Sequence, residues 1–226
     1  MTLVLPPSYR RDDASHPPLD SPAYRSTALR HPSRALIALP QRLTELTGPV
    51  FGAERLAPGD DDLTQWGGGE AVGQRIVVHG QVRDGDGRAV PHALIELWQA
   101  NAGGRYQHVI DNWPAPLDPH FAGVGRVATD ATGNYRFTTI KPGAYPWKNH
   151  LNAWRPAHIH FSLFGRAFAQ RLVTQMYFPD DPLFSQDPIF NSVPDPAARA
   201  RLVSSYDHTA TADHWALGFR FDVVLR

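Results

Sequence analysis

Gly125-Arg-Val-Ala-Thr-Asp-Ala-Thr-Gly-Asn-Tyr-Arg-Phe-Thr-Thr-Ile140 decides the fold class. Two short strand-like runs, 125–130 and 135–140, flank the turn Ala131-Thr-Gly-Asn134, and Tyr135, Phe137 and Thr139 fall on one side at the period of two that a strand imposes. No long helical period runs through the segment. The same plan stands upstream. Ile76, Val78 and Val82 alternate within 75–83, Asp84-Gly-Asp-Gly87 makes a turn, and Val90 to Gln99 (VPHALIELWQ) is strand-like again. Glycine's access to positive φ suits tight turns, so each unit predicts a hairpin. Further strands are expected at 157–164, 170–178 and 217–225, with a short helix near 196–204. Many short strands between Gly/Pro-rich turns predict an all-β fold, a β-sandwich of transthyretin- or immunoglobulin-like topology with long loops and few short helices.

The 226 residues suffice for one such domain with an appendage. Residues 1–70 read as an irregular, Pro-rich N-terminal arm that wraps another subunit, with one helix-like piece around Pro32 to Leu46. Gly67 to Gly69 separate it from the sandwich domain, expected over 71–226. Basic and acidic residues balance at 22 each, which leaves no broad electrostatic footprint for nucleic acid or an anionic membrane. No stretch approaches the roughly 18 apolar residues of a membrane span, and Leu3 to Leu5 before Pro6 and Pro7 is too short for a signal-peptide core, so a cytoplasmic protein is expected. Cysteine is absent, which excludes disulfides, thiolate metal sites and a thiol nucleophile; a metal here must use His, carboxylate or phenolate.

Long ordered loops in a compact domain usually carry function, and the aromatic loops 101–123 and 141–156 are the place to look. His158-Ile-His160 sits in a strand-like run, and side chains two apart share a face, so both imidazoles can reach one metal. An isolated pair of this kind is more often structural. No histidine starts a His-x-Asp, His-x-Glu or His-Glu-x-x-His motif. Tyr106 and Tyr145 in the aromatic loops are the remaining anionic candidates. A phenol with pKa near ~10 becomes a ligand at neutral pH only against a strong Lewis acid such as ferric iron. Taken singly, each tyrosine is more often a packing residue. Arg155 places a cation three residues before His158, where a surface arginine is the commoner case. Asp84-x-Asp86 resembles a calcium loop, but Arg88 stands at the third ligand position and Ala89 where glycine is required. Phosphate-binding loops and Gly-x-Ser-x-Gly elbows are absent.

Four blocks in order, Trp98-Gln-Ala-Asn-Ala-Gly-Gly-Arg-Tyr106, Pro116-Leu-Asp-Pro119, Ile140-Lys-Pro-Gly-Ala-Tyr-Pro-Trp147 and Trp154-Arg-Pro-Ala-His-Ile-His160, resemble the intradiol ring-cleavage dioxygenases. Within that family the likeness is closest to the iron-bearing β subunits of the protocatechuate-cleaving branch, and it runs from Tyr24 and Arg34-Ala-Leu36 to Phe219–Leu225. The resemblance implies a non-heme Fe(III) with Tyr106 and His160 as equatorial ligands and Tyr145 and His158 as axial ligands. It implies that Tyr145 also accepts a substrate proton, that Arg155 stabilises charge on the activated ring with Gln175 nearby, and that Tyr24, Trp147 and Ile189 line the substrate cavity. It further implies cleavage of protocatechuate by O₂ to 3-carboxy-cis,cis-muconate, a step of the β-ketoadipate route of aromatic catabolism, in a hetero-oligomer with a homologous α subunit. A homomeric catechol or hydroxyquinol dioxygenase is the alternative, although it would bring a helical N-terminal segment. A non-enzymatic sandwich that binds a hydrophobic ligand without metal is the alternative of another class.

Overall fold

A computed structural model of the chain describes residues 15–34, 55–165 and 171–225. Its strands, in chain order, are β1 (Gln65–Trp66), β2 (Gly69–Glu70), β3 (Arg75–Asp84), β4 (Leu94–Gln99), β5 (Val124–Ala128), β6 (Asn134–Ile140), β7 (Tyr145–Trp147), β8 (Ala153–Arg155), β9 (His158–Phe164), β10 (Arg171–Tyr177), β11 (Ser205–Tyr206), β12 (Leu217–Arg220) and β13 (Val223–Leu225). One four-stranded antiparallel sheet has the order β10-β9-β4-β5. The second sheet is built on β3, which pairs antiparallel with β6 on one side and parallel with β12 and β13 on the other, with β11 beyond β12. β7 and β8 form a separate ribbon, and β1 and β2 another. This is the expected all-β sandwich.

The strand expected over 217–225 exists as β12 and β13, which run along β3 in one continuous register, Leu217 beside Ile76 and Val223 beside Val82. The gap between them is a side-chain substitution in the ladder. Phe221 N donates to His79 O at 2.9 Å, and Asp222 Oδ1 then accepts from Gln81 N at 2.9 Å in place of a backbone carbonyl.

Neither predicted hairpin forms. β3 pairs with β6 and β4 pairs with β5 and β9, so both turns carry the chain from one sheet to the other. Of the first hairpin only the bridge between Arg83 and Ala89 remains. Beyond it Pro91 has no N–H to offer a ladder, and His92 takes φ 59°, which turns the backbone out of the sheet. Buried Thr129 then secures the corner, its hydroxyl donating to Val90 O at 2.7 Å and accepting from Ala93 N at 2.9 Å.

The core lies between the two sheets. Ile76, Val78 and Val82 of β3 and Tyr135 and Phe137 of β6 face Ile95 and Leu97 of β4 and Ile159, Phe161 and Leu163 of β9, with Phe219, Phe221, Val223 and Leu225 closing it. Burying each large apolar side chain contributes roughly 1.5–3 kcal/mol before ordering costs. Residues 60–66 join this body, for Leu63 is in the core, Leu63 N donates to Thr138 O at 2.9 Å and Arg126 N to Asp60 O at 2.8 Å.

Among short helices, Pro196–Ala200 stands inside the expected 196–204 and is capped by Asp195, whose carboxylate accepts from Ala197 N and Ala198 N. The helix-like piece at 32–46 lies outside the described residues from 35 onward; the described part of the arm holds a short helix at Thr27–Arg30. No helix of the described residues is long and apolar enough to cross a membrane.

Candidate metal centre and active site

Because Ile159, Phe161 and Leu163 point into the core, the two-residue period sends His158 and His160 to the opposite, outer face of the four-stranded sheet. Register aligns Trp98, His160 and Gln175 in one row across β4, β9 and β10, and places Tyr177 beside His158 in the next. The Trp98 indole lies flat on the His160 ring, centroids 4.7 Å apart and planes 4° from parallel, and so holds that imidazole in one orientation. His158 Nδ1 is 2.7 Å from Pro156 O, which assigns the proton to Nδ1 and leaves the Nε2 lone pair pointing away from the sheet.

Two loops bring tyrosines over this face. Asn101 folds the first, its Oδ1 accepting from Gly103 N at 2.9 Å and Arg105 N at 3.0 Å, while Asp111 Oδ2 accepts from Tyr106 N at 2.8 Å. The second loop docks on the first backbone to backbone. Gly143 N donates to Asn101 O at 2.9 Å, and at Gly104, φ 78°, a Cβ would stand 2.2 Å from Ala144 O. Tyr145 then opens β7, opposite Arg155 in β8.

The result is a chain of four potential donor atoms. Tyr145 Oη lies 3.2 Å from His158 Nε2, Tyr106 Oη lies 3.2 Å from His160 Nε2, and the two phenol oxygens are 3.5 Å apart. Burial pushes both phenols above their ordinary pKa; the neighbouring Tyr145 adds to the rise at Tyr106, and the cation of Arg155 partly offsets it at Tyr145. Burial and then Arg155 push both imidazoles down, His160 to about 3. Without a metal, all four side chains are therefore neutral at pH 7. Among the described residues no group of three or more His, Asp or Glu gathers, so this constellation depends on its phenols.

Arg155 is the other feature of the site. It is 2% exposed, and one side of its guanidinium is anchored: Nε donates to Asp187 Oδ1 at 3.0 Å, and Nη2 donates to Tyr177 Oη at 2.9 Å and to Gln175 Oε1. Burial opposes its charge, and Tyr177, Asp187 and Tyr145 more than offset that, holding its pKa above the ordinary arginine value. Its carbon Cζ is 5.9 Å from the centre of the Trp147 ring, and Trp147 in turn meets the Tyr24 ring edge-on at 4.7 Å. Arg25 N reaches Asn149 O at 3.3 Å, so the described arm lies against the β7–β8 ribbon.

Of the residues singled out in the sequence, Tyr106, Tyr145, His158, His160, Arg155 and Gln175 gather in one place, Trp147 flanks Arg155, and Tyr24 packs on Trp147. Ile189 enters through its backbone, its N–H donating to the Asp187 carboxylate that binds Arg155. Sequence reasoning missed Trp98, Asp111, Tyr177 and Asp187. Asp187-Pro188 does carry a helix-start signal, an N-cap followed by proline. Nothing local says that the same carboxylate also holds an arginine 32 residues away.

Comparison with known proteins identifies the family of the chain. A family model described as Dioxygenase matches residues 46–226, and one described as the N-terminal region of the protocatechuate 3,4-dioxygenase beta subunit matches residues 9–42. A protocatechuate 3,4-dioxygenase beta chain from Burkholderia cepacia is 57% identical over 100% of this chain and 94% of its own length. The alpha chain of that enzyme from Pseudomonas putida is 35% identical over 60% of this chain and 65% of its own. The solved structure of catechol 1,2-dioxygenase from Acinetobacter sp. ADP1 superposes with TM-score 0.55 at 25% identity, covering 73% of this chain and 56% of that one. With both family regions present in order and the whole chain aligned to a beta chain, this protein belongs to the intradiol dioxygenases.

Proposed function

We propose that this chain is the iron-bearing β chain of a protocatechuate 3,4-dioxygenase, with Tyr106, Tyr145, His158 and His160 holding Fe(III). The reading rests on one observation above others, the chain of contacts of 3.2–3.5 Å that links two phenol oxygens and two imidazole nitrogens beside a buried arginine. Donors about 2.0–2.1 Å from one metal, at angles between 90° and 120°, stand roughly 2.8–3.6 Å apart. The Tyr106–His160 and Tyr106–Tyr145 separations fall in that range, whereas Tyr145 and His158 stand closer than an axial pair on one metal would. The donor chemistry also fits, since two phenolates and two neutral imidazoles suit a hard trivalent cation and offset two of its charges.

Ferric iron bound there supplies the Lewis acidity that binds and polarises an ortho-diphenol. The chain's own groups do the rest. Tyr145, whose phenol pKa is raised, is the base that takes a proton from the diphenol and keeps it at Oη. Arg155 is a fixed cation beside Tyr145 that stabilises negative charge on the ring, and Gln175 sits against it. Tyr24 and Trp147 form an aromatic wall that orients the ring and excludes water, with Ile189 completing the cavity. The product of oxygen insertion between the two hydroxyl-bearing carbons of protocatechuate is 3-carboxy-cis,cis-muconate. Likeness to an alpha chain supports assembly with a homologous α partner, and the match over residues 9–42 favours this heteromeric type over a homomeric catechol or hydroxyquinol enzyme.

The test is iron content, visible absorption and O₂ uptake of the chain co-expressed with its α homologue, offered protocatechuate and catechol in parallel. A red-brown phenolate-to-iron band and preference for protocatechuate are expected. Tyr145→Phe should shift or weaken that band; an iron-loaded variant with an unchanged spectrum would sink the ligand assignment. Preference for catechol would move the chain to the homomeric class.

A further inference from the structure

We infer that Asp187, with Tyr177, is a positioning residue for Arg155: the carboxylate sets the orientation in which the guanidinium meets the reacting ring. The inference rests on the proposed dioxygenase site and adds to it two residues that bind neither metal nor substrate.

Asp187 is 0% exposed and spends both oxygens. Oδ1 accepts from Arg155 Nε at 3.0 Å and from Ile189 N at 2.9 Å, and Oδ2 lies 3.1 Å from Tyr177 Oη. Tyr177 Oη accepts from Arg155 Nη2 and lies 2.7 Å from Gln175 Oε1, so its single proton is shared between two acceptors. A guanidinium is planar and rigid; holding Nε and Nη2 on two fixed partners therefore fixes the whole plane. The anchors themselves cannot swing. Asp187 caps the helix Pro188–Asn191, with proline at its first position, and Tyr177 is wedged against the rings of Phe184 and Phe190 while its backbone pairs with His158.

Geometry also explains why an ion pair is used. A buried cation that must face a reacting ring cannot be oriented by solvent, and an unpaired guanidinium at this depth would be costly. One carboxylate, Asp187, offsets the charge. Gln175, neutral and in the same row as His160, supplies the third acceptor without adding charge.

The experiment uses the iron-loaded enzyme purified with its α homologue. Asp187→Asn keeps the volume and the helix cap but removes the charge; Tyr177→Phe removes only the hydroxyl. Loss of such a supporting partner costs on the order of 10–100-fold. Asp187→Asn is expected to lower kcat by about that factor, with KM within about 3-fold of wild type and the visible band and iron content retained; Tyr177→Phe should do the same more weakly. In an Arg155→Lys background, which cannot use the fork, Asp187→Asn should change kcat by less than about 2-fold. Unchanged kcat in both single variants overturns the inference. So does a loss that only tracks lost iron or lost folded protein, or a full-sized Asp187→Asn effect in the Arg155→Lys background. The wild-type band and O₂ uptake test the dioxygenase reading separately, so the two can fail independently.

Discussion

At the scale of single residues the proposed metal site is a set of four neutral side chains beside the buried Arg155–Asp187 ion pair. Arg155 shows how burial changes what a mutation measures. Arg155→Leu removes the cation but also strands the Asp187 carboxylate at 0% exposure, which costs about 3–5 kcal/mol for an uncompensated buried charge. Turnover and folding then fall together. Arg155→Lys keeps the charge and loses the planar fork, so we expect kcat about 10²-fold lower in O₂-uptake assays with near-normal iron, the size of effect seen when one preorganised donor is lost. Near-normal turnover would show that the fork has no role. The residue types at 155, 158 and 160 were legible from the start, as was the shared face of the two histidines. Trp98, which sets the His160 ring plane, was not, because a stacking partner on a neighbouring strand leaves no local mark.

Elements place those residues. β9 aims its histidines outward simply because its apolar residues aim inward, and the two tyrosine loops are held together by backbone contact as well as by side chains such as Lys148 on Asn112 and Trp154 on Trp113. Gly104 is the point where they touch. Its φ of 78° costs an L-residue about 1–2 kcal/mol, and a Cβ there would stand 2.2 Å from Ala144 O, so Gly104→Ala must push the loops apart. We expect a lower melting temperature and, because Tyr106 and Tyr145 move with their loops, weaker iron retention in a chelator challenge. A variant with wild-type iron retention would mean that the loops are not the hinge of the donor set. Strand positions were readable from alternation, but strand partners were not. The Asp84–Gly87 and Ala131–Asn134 turns look like hairpin turns, yet Pro91 and the positive φ of His92 bend the chain across to the other sheet.

For the whole molecule, the core and the proposed metal ligands lie on opposite faces of one sheet, and the core uses none of the four side chains. Removing iron should therefore leave the sandwich folded, with far-UV circular dichroism retained, the visible band lost and the melting temperature lowered by the linkage of metal binding to the folded state. Reloading has a definite pH sense. Both phenols hold their protons more tightly than free tyrosine, while both imidazoles are already neutral, so binding releases about two protons and apparent affinity rises with pH through the neutral range. Proton release measured on addition of ferric iron to the apoprotein checks this; no release would contradict phenolate ligation. By itself, the sequence determined that the protein is all-β, where most of its strands lie, and which two histidines and two tyrosines to watch, because alternation and residue chemistry are local properties. Only the tertiary structure decided which strands pair, that the site lies on the outer face of the β10-β9-β4-β5 sheet, and that Arg155 is anchored by Asp187 and Tyr177. Pairing and burial depend on which distant segments compete for the same space, and a buried ion pair between residues 155 and 187 exists only once the chain has closed around it.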